Sequence, residues 1–243
     1  MMNLFHIFCF IQWILHSYSL TKVLIPAVYK EWEHGKPEWA TNSEIQQKHN
    51  FSIFLYQKVN PDQPNYFEYN RGAECGTYLK YIVDHYDNFP DVAMFVHAKP
   101  EHHQKKLNWL NMLHCISPNA TYMNINDQSW VTRSPKSWRR IEQWTEQCWR
   151  DILQITWELK DDKNEFLKRL PPNQDIIMSA QCCNQFIISR DMIRKRPLHV
   201  WKDLLRIIGV DNACHLGEPD YENLYFFNKT GRAKLGAEPK DVA

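Results

Sequence analysis

The chain has 243 residues, enough for one globular domain with at most a small extension. It is 44% hydrophobic and 14% aromatic, so it can bury a sizeable core, and seven glycines exclude a glycine-rich fibre. Lys and Arg number 29 against 28 Asp and Glu, and the net charge of +1 exerts no global pull toward nucleic acid. Beyond the N-terminus no apolar run reaches the ~18 residues of a membrane span, which excludes a multi-span protein.

The apolar run from Leu4 to Leu15 is short for a span, and Ser17 and Ser19 behind it suit a signal-peptidase site. Residues 1–19 are therefore expected to be a secretory signal, with an uncleaved Golgi-type anchor as the alternative. Cys9 falls inside that segment. The other six cysteines, Cys75, Cys115, Cys148, Cys182, Cys183 and Cys214, form an even set without C-x-x-C spacing, which predicts disulfides rather than a zinc ribbon. Three sequons, at Asn50, Asn119 and Asn228, agree with a secretory route to the cell exterior or to the lumen of the endoplasmic reticulum or Golgi.

Past the signal, residues 23–29 read as a strand that Pro26 confines to an edge or a bulge. A polar, Trp-bearing loop over 30–48 and a second strand over 51–56 follow. Residues 74–85 carry Tyr78, Tyr81 and Ile82 at helical spacing. The run Val92-Ala-Met-Phe-Val96 has the pattern of a strand buried on both faces. Residues 102–113 predict a helix, and Ser134-Pro135 opens a longer one reaching about Leu159, with Trp138 and Trp144 on its apolar face. Short strands over 175–178 and 185–189 precede a helix over 197–208. Residues 229–243 are expected to be a disordered tail. Strands alternate with helices, so residues 20–228 predict one α/β domain with a mostly parallel central sheet flanked by helices.

Two places in this order suit a ligand. Asn70 and Gly72 stand before the 74–85 helix, where free backbone N–H groups and the helix dipole favour an anion such as phosphate. His97 directly follows a buried strand, at the carboxyl edge where open α/β sheets bind ligands.

Several blocks carry a resemblance. Gln57-Lys58, Asn70-x-Gly72-x-Glu74-x-x-x-Tyr78-Leu79, Tyr86-Asp87-x-x-Pro90-Asp91, Phe95-x-His97, Gln185-Phe-Ile-Ile-Ser-Arg190-Asp191 and Glu222-Asn-Leu-Tyr225-x-Phe227 resemble a family found mainly in fungi and other eukaryotes, domain of unknown function 3431. The likeness spans roughly Val23 to Asn228, although the family tends to have Trp where Tyr225 stands.

The order of elements is also similar to that of nucleotide-sugar transferases of the GT-A type, which share a Rossmann-like sheet. In those proteins the equivalent strand ends in Asp-x-Asp, which holds a divalent cation and the donor diphosphate. Here it ends in His97-Ala98-Lys99, with Glu101 and His102 close behind. The likeness implies that Asn70, Gly72 and Glu74 cradle a nucleotide-sugar donor and that Arg190 adds a substrate contact. Either His97, Glu101 and His102 then hold Mn²⁺ or Mg²⁺, or Lys99 neutralises the diphosphate, or catalysis has been lost. Glu222 or Asp191 is implied as base toward a hydroxyl of a glycan or glycoprotein acceptor.

The functional expectation is thus a secretory-pathway, glycosyltransferase-like protein without nucleic-acid partners or membrane insertion beyond the N-terminal anchor. The alternative is a secreted carbohydrate-binding or interaction protein on the same scaffold, without turnover. Neither G-x-S-x-G nor H-E-x-x-H occurs, so the standard hydrolytic motifs are missing.

Overall fold

In the computed structural model the described residues are 20–28, 31–32, 35–58, 60–67, 74–103, 109–113, 116, 119–126, 130–133, 151–152, 154–156, 178–181 and 185–210. The predicted signal, the 229–243 tail, the Trp138 and Trp144 row, five of the six paired-cysteine candidates and Asn228 lie outside them.

Strand β1 (Lys22–Ala27) is the second of five in the main sheet, whose order is β2-β1-β3-β7-β4. β2 (Ser52–Ile53) and β3 (Val92–His97) both run parallel to β1. β7 (Phe186–Ser189) runs antiparallel to β3 and to the edge strand β4 (Tyr122–Asn124). A separate antiparallel pair joins β5 (Trp130–Arg133) to β6 (Met178–Gln181). The class is α/β, but the sheet is mixed rather than mostly parallel. The reason lies in β7, which enters reversed between β3 and β4 and turns both of its ladders antiparallel.

β1 is also not an edge strand. Its pairing with β3 covers all six residues, Pro26 opposite Val96 included. Leu24 accepts from the Phe54 N–H, so even-numbered residues of β1 turn their backbone toward β2. Pro26 lies on that side, beyond the point where the β1–β2 ladder has stopped, so its missing N–H costs no ladder bond.

Between β1 and β2, where the sequence predicts a loop, two short helices form: α1 (Glu38–Thr41) and α2 (Ser43–His49). Asn42 caps α2, its side chain accepting from the Glu44 and Ile45 N–H groups. Helix α3 (Glu74–His85) matches its predicted bounds and connects β2 to β3 while packing across β1. A 3₁₀ turn (Pro100–His103) and α4 (Trp109–Met112) follow β3, and α5 (Arg190–Arg194) and α6 (Leu198–Leu204) follow β7. α6 runs into a π-helical turn, Leu205–Val210.

Alternation along β1 and β3 divides the core in two. Ile25, Ala93 and Phe95 face Tyr78, Tyr81 and Ile82 of α3 together with Val200 and Leu204 of α6. Leu24, Met94 and Val96 face Trp32, Trp39, Trp109 and Leu113 on the other side. Helices therefore cover both faces, which is why β3 reads as an unbroken apolar run. Ile152 and Ile155, from the predicted long helix, pack against the first cluster.

Candidate functional site

β3 delivers His97 to the carboxyl edge of the sheet, opposite Ala27 of β1. The chain leaves β1 toward β2 on one side, while β3 leads away on the other. The crevice between β1 and β3 is thus where the strand order reverses, the position at which open α/β sheets take ligands.

Helix α3 begins at this same edge. Its first residue, Glu74, is an acid at a helix N-terminus, where the dipole favours negative charge. Period-two alternation puts His97 on the sheet face that carries Phe95, the face that α3 covers. The two meet: His97 Nδ1 lies 3.0 Å from Glu74 Oε1, with the side chains 17% and 28% exposed. An imidazole with one nitrogen against a carboxylate is oriented, and its tautomer is set by that contact.

Hydrogen bonds from Gln185, Asn126 and Trp32 fix the chain after β3. Gln185, fully buried, accepts the His97 backbone N–H through Oε1 at 3.0 Å and donates from Nε2 to Asn126 Oδ1 (3.1 Å) and Pro100 O (3.3 Å). Asn126 Nδ2 returns a bond of 2.9 Å to Gln185 O. Trp32 Nε1 donates to Ala98 O at 2.9 Å. These roles are not legible in the sequence beyond one hint, a polar residue directly before the apolar run 186–188.

Beneath the pair lies Tyr78, one helical turn after Glu74 and 3% exposed. Its ring is 4.8 Å from that of Phe95 and 6.0 Å from that of Phe186. Burial first, then Glu74, then Cys75 raise the Tyr78 phenol well above its usual range. Cys75 is a thiol that burial pushes up to about 12.

Of the other expected residues, Lys99 and Glu101 follow His97 and are exposed. His102 belongs to the same turn, but its side chain falls outside the described residues. Asn70, Gly72 and Glu222 lie outside them as well. Arg190 and Asp191 are not at this edge. Because β7 runs against β3, Ser189 pairs with Val92, and the chain delivers Arg190 to the amino end of β3. There Arg190 Nη2 meets Asp91 Oδ1 at 3.1 Å and its Nε donates to Phe89 O at 2.5 Å. Asp191 follows it in the first turn of α5. Among the described residues no three His, Cys, Asp or Glu side chains come together as a metal site; His97 faces Glu74 rather than Glu101.

Comparison with known families gives one match. Residues 27–213 match the family described as protein of unknown function (DUF3431). The chain belongs to this family. No curated protein matches it, and no solved structure does. The family thus fixes kinship over most of the chain and leaves the chemistry to the site.

Proposed function

We propose that this family member is a glycosyltransferase-like protein of the secretory pathway that binds a nucleotide-sugar donor at the carboxyl edge of β3. One observation carries the reading: the Glu74–His97 pair stands at the topological switch point between β1 and β3. In this reading the donor diphosphate lies over the edge near His97 and Lys99, and the positive end of the α3 dipole adds to its attraction. Four of the five main-sheet strands point the same way, β7 being the exception, and this is compatible with a GT-A-like layout. His97 contributes its imidazole to the phosphate site, and Glu74 holds that ring in place. A cation-held diphosphate needs more than the described residues assemble, so no step here runs through a metal.

A second reading, donor or glycan binding without turnover, is favoured by β3 ending in His97-Ala98-Lys99 where catalysts of the GT-A type have Asp-x-Asp. Isothermal calorimetry against uridine and guanosine diphosphate sugars, with and without Mn²⁺, tests the donor site. Saturable heat that His97→Ala removes supports it, and no heat with any donor overturns it. Product analysis with glycan acceptors then separates transfer from binding alone.

A further inference from the structure

Glu74 has one neighbour too many for a simple ion pair. His97 stands at 3.0 Å from its carboxylate. One helical turn on is Tyr78, whose hydroxyl meets no hydrogen-bond partner among the described residues and has no accessible surface. Side chains on a helix lean toward its N-terminus, so a residue at i+4 reaches back over position i. The Tyr78 ring is held by Phe95 and Phe186, 4.8 and 6.0 Å away between centroids. A buried hydroxyl without a partner is costly, and such groups are uncommon in folded proteins. Burial and then Glu74 raise the phenol well above its usual range, so it remains a donor, one helical turn from a carboxylate acceptor.

We propose that Tyr78 is a positioning residue of this site: it is the second hydrogen-bond partner of Glu74, engaged when a ligand takes over His97. A phosphate approaching His97 is repelled by the carboxylate that holds the imidazole. Rotation of Glu74 inward removes that charge from the edge and gives the orphaned hydroxyl its acceptor. One contact is exchanged for another, so the pair behaves as a two-position element that a ligand biases. The ligand arm of this inference rests on the reading of the edge as a donor site; the exchange itself does not.

The test is a mutant cycle in the full-length protein without ligand, using wild type, Tyr78→Phe, His97→Ala and the double variant. In wild type, Glu74 is held by His97, so Tyr78→Phe leaves the thermal midpoint unchanged or raises it. With His97 gone, Glu74 turns to Tyr78, and the same change then lowers the midpoint by about 3–8 °C, the loss of a charge-assisted hydrogen bond. Equal effects in the two backgrounds overturn the exchange. If His97→Ala does not fold, His97→Leu fills the space and serves in its place.

Isotherms for uridine diphosphate and pyrophosphate then add the ligand arm, with Tyr78→Phe expected to bind about 10-fold more weakly than wild type. Coupling in the cycle with no binding of either probe keeps the exchange and defeats the donor site. Binding with an additive cycle does the reverse.

Discussion

The carboxamide of Gln185 and the backbone of His97 are joined across the β3–β7 ladder by a bond of 3.0 Å. Gln185 thereby holds the residue that carries the proposed function, together with Asn126 and the Pro100 carbonyl. The site is consequently set by β7, a strand more than eighty residues later in the chain.

Gln185→Ala is expected to destabilise the fold by about 2–4 kcal/mol, since it takes the acceptor from the His97 N–H and a donor from Asn126 Oδ1 and empties a fully buried site. Urea unfolding gives the number. A loss under about 0.5 kcal/mol would mean that the network is dispensable.

His97→Ala removes a partly exposed ion-pair partner, so its effect on stability is expected to stay within about 1 kcal/mol. Nucleotide-sugar binding, in contrast, should disappear. A melting curve and an isotherm on the same preparation compare the two, and intact binding with reduced stability would make His97 a purely structural residue.

Phe95→Ala tests the core under the site. The ring is fully buried and touches Tyr78, Tyr81 and Phe186, so the cavity should cost about 3–5 kcal/mol. Denaturant titration would expose an error as a loss below 2 kcal/mol.

Asp91 gives the fold a pH dependence at the opposite edge. The Thr21 N–H and hydroxyl donate to its carboxylate and Arg190 adds its charge, so its pKa is lowered from 3.8 in the folded chain despite a counteracting burial cost. The unfolded chain binds the proton first as the pH drops. The stabilisation is therefore fully present above about pH 4 and is lost as the pH falls through the folded-state value. Asp91→Asn should flatten the acid limb of a stability–pH curve; an unchanged limb would remove Asp91 from the account.

Secretion is open to direct measurement. Asn50, the left-handed C-cap of α2, and Asn119, in a turn, are both exposed. Expression in a eukaryotic host should yield secreted protein with glycans that peptide-N-glycosidase removes. Unmodified cytosolic protein beginning at Met1 would contradict the secretory expectation.

A continuous apolar run located β3 and helical spacing located α3, because a strand buried on both faces and a helix with one apolar stripe leave patterns that tertiary contacts merely reinforce. The ends of those elements followed, and with them the placing of His97 at a sheet edge. The Asn42 cap of α2 is written in the sequence too, but the polar composition of residues 30–48 makes the segment read as a loop. Strand order is another matter. Nothing local in Phe186–Ser189 states whether it runs with or against β3, since both ladders satisfy the same backbone groups and the same apolar pattern. That single choice sent Arg190 and Asp191 to the amino edge, brought Gln185 under His97, and turned a parallel sheet into a mixed one. The sequence thus determined where the chemistry-bearing residues stop along their own elements. Which of them meet was decided by packing between elements distant in the chain, where α3 lies across β1 and its first turn comes down on the end of β3.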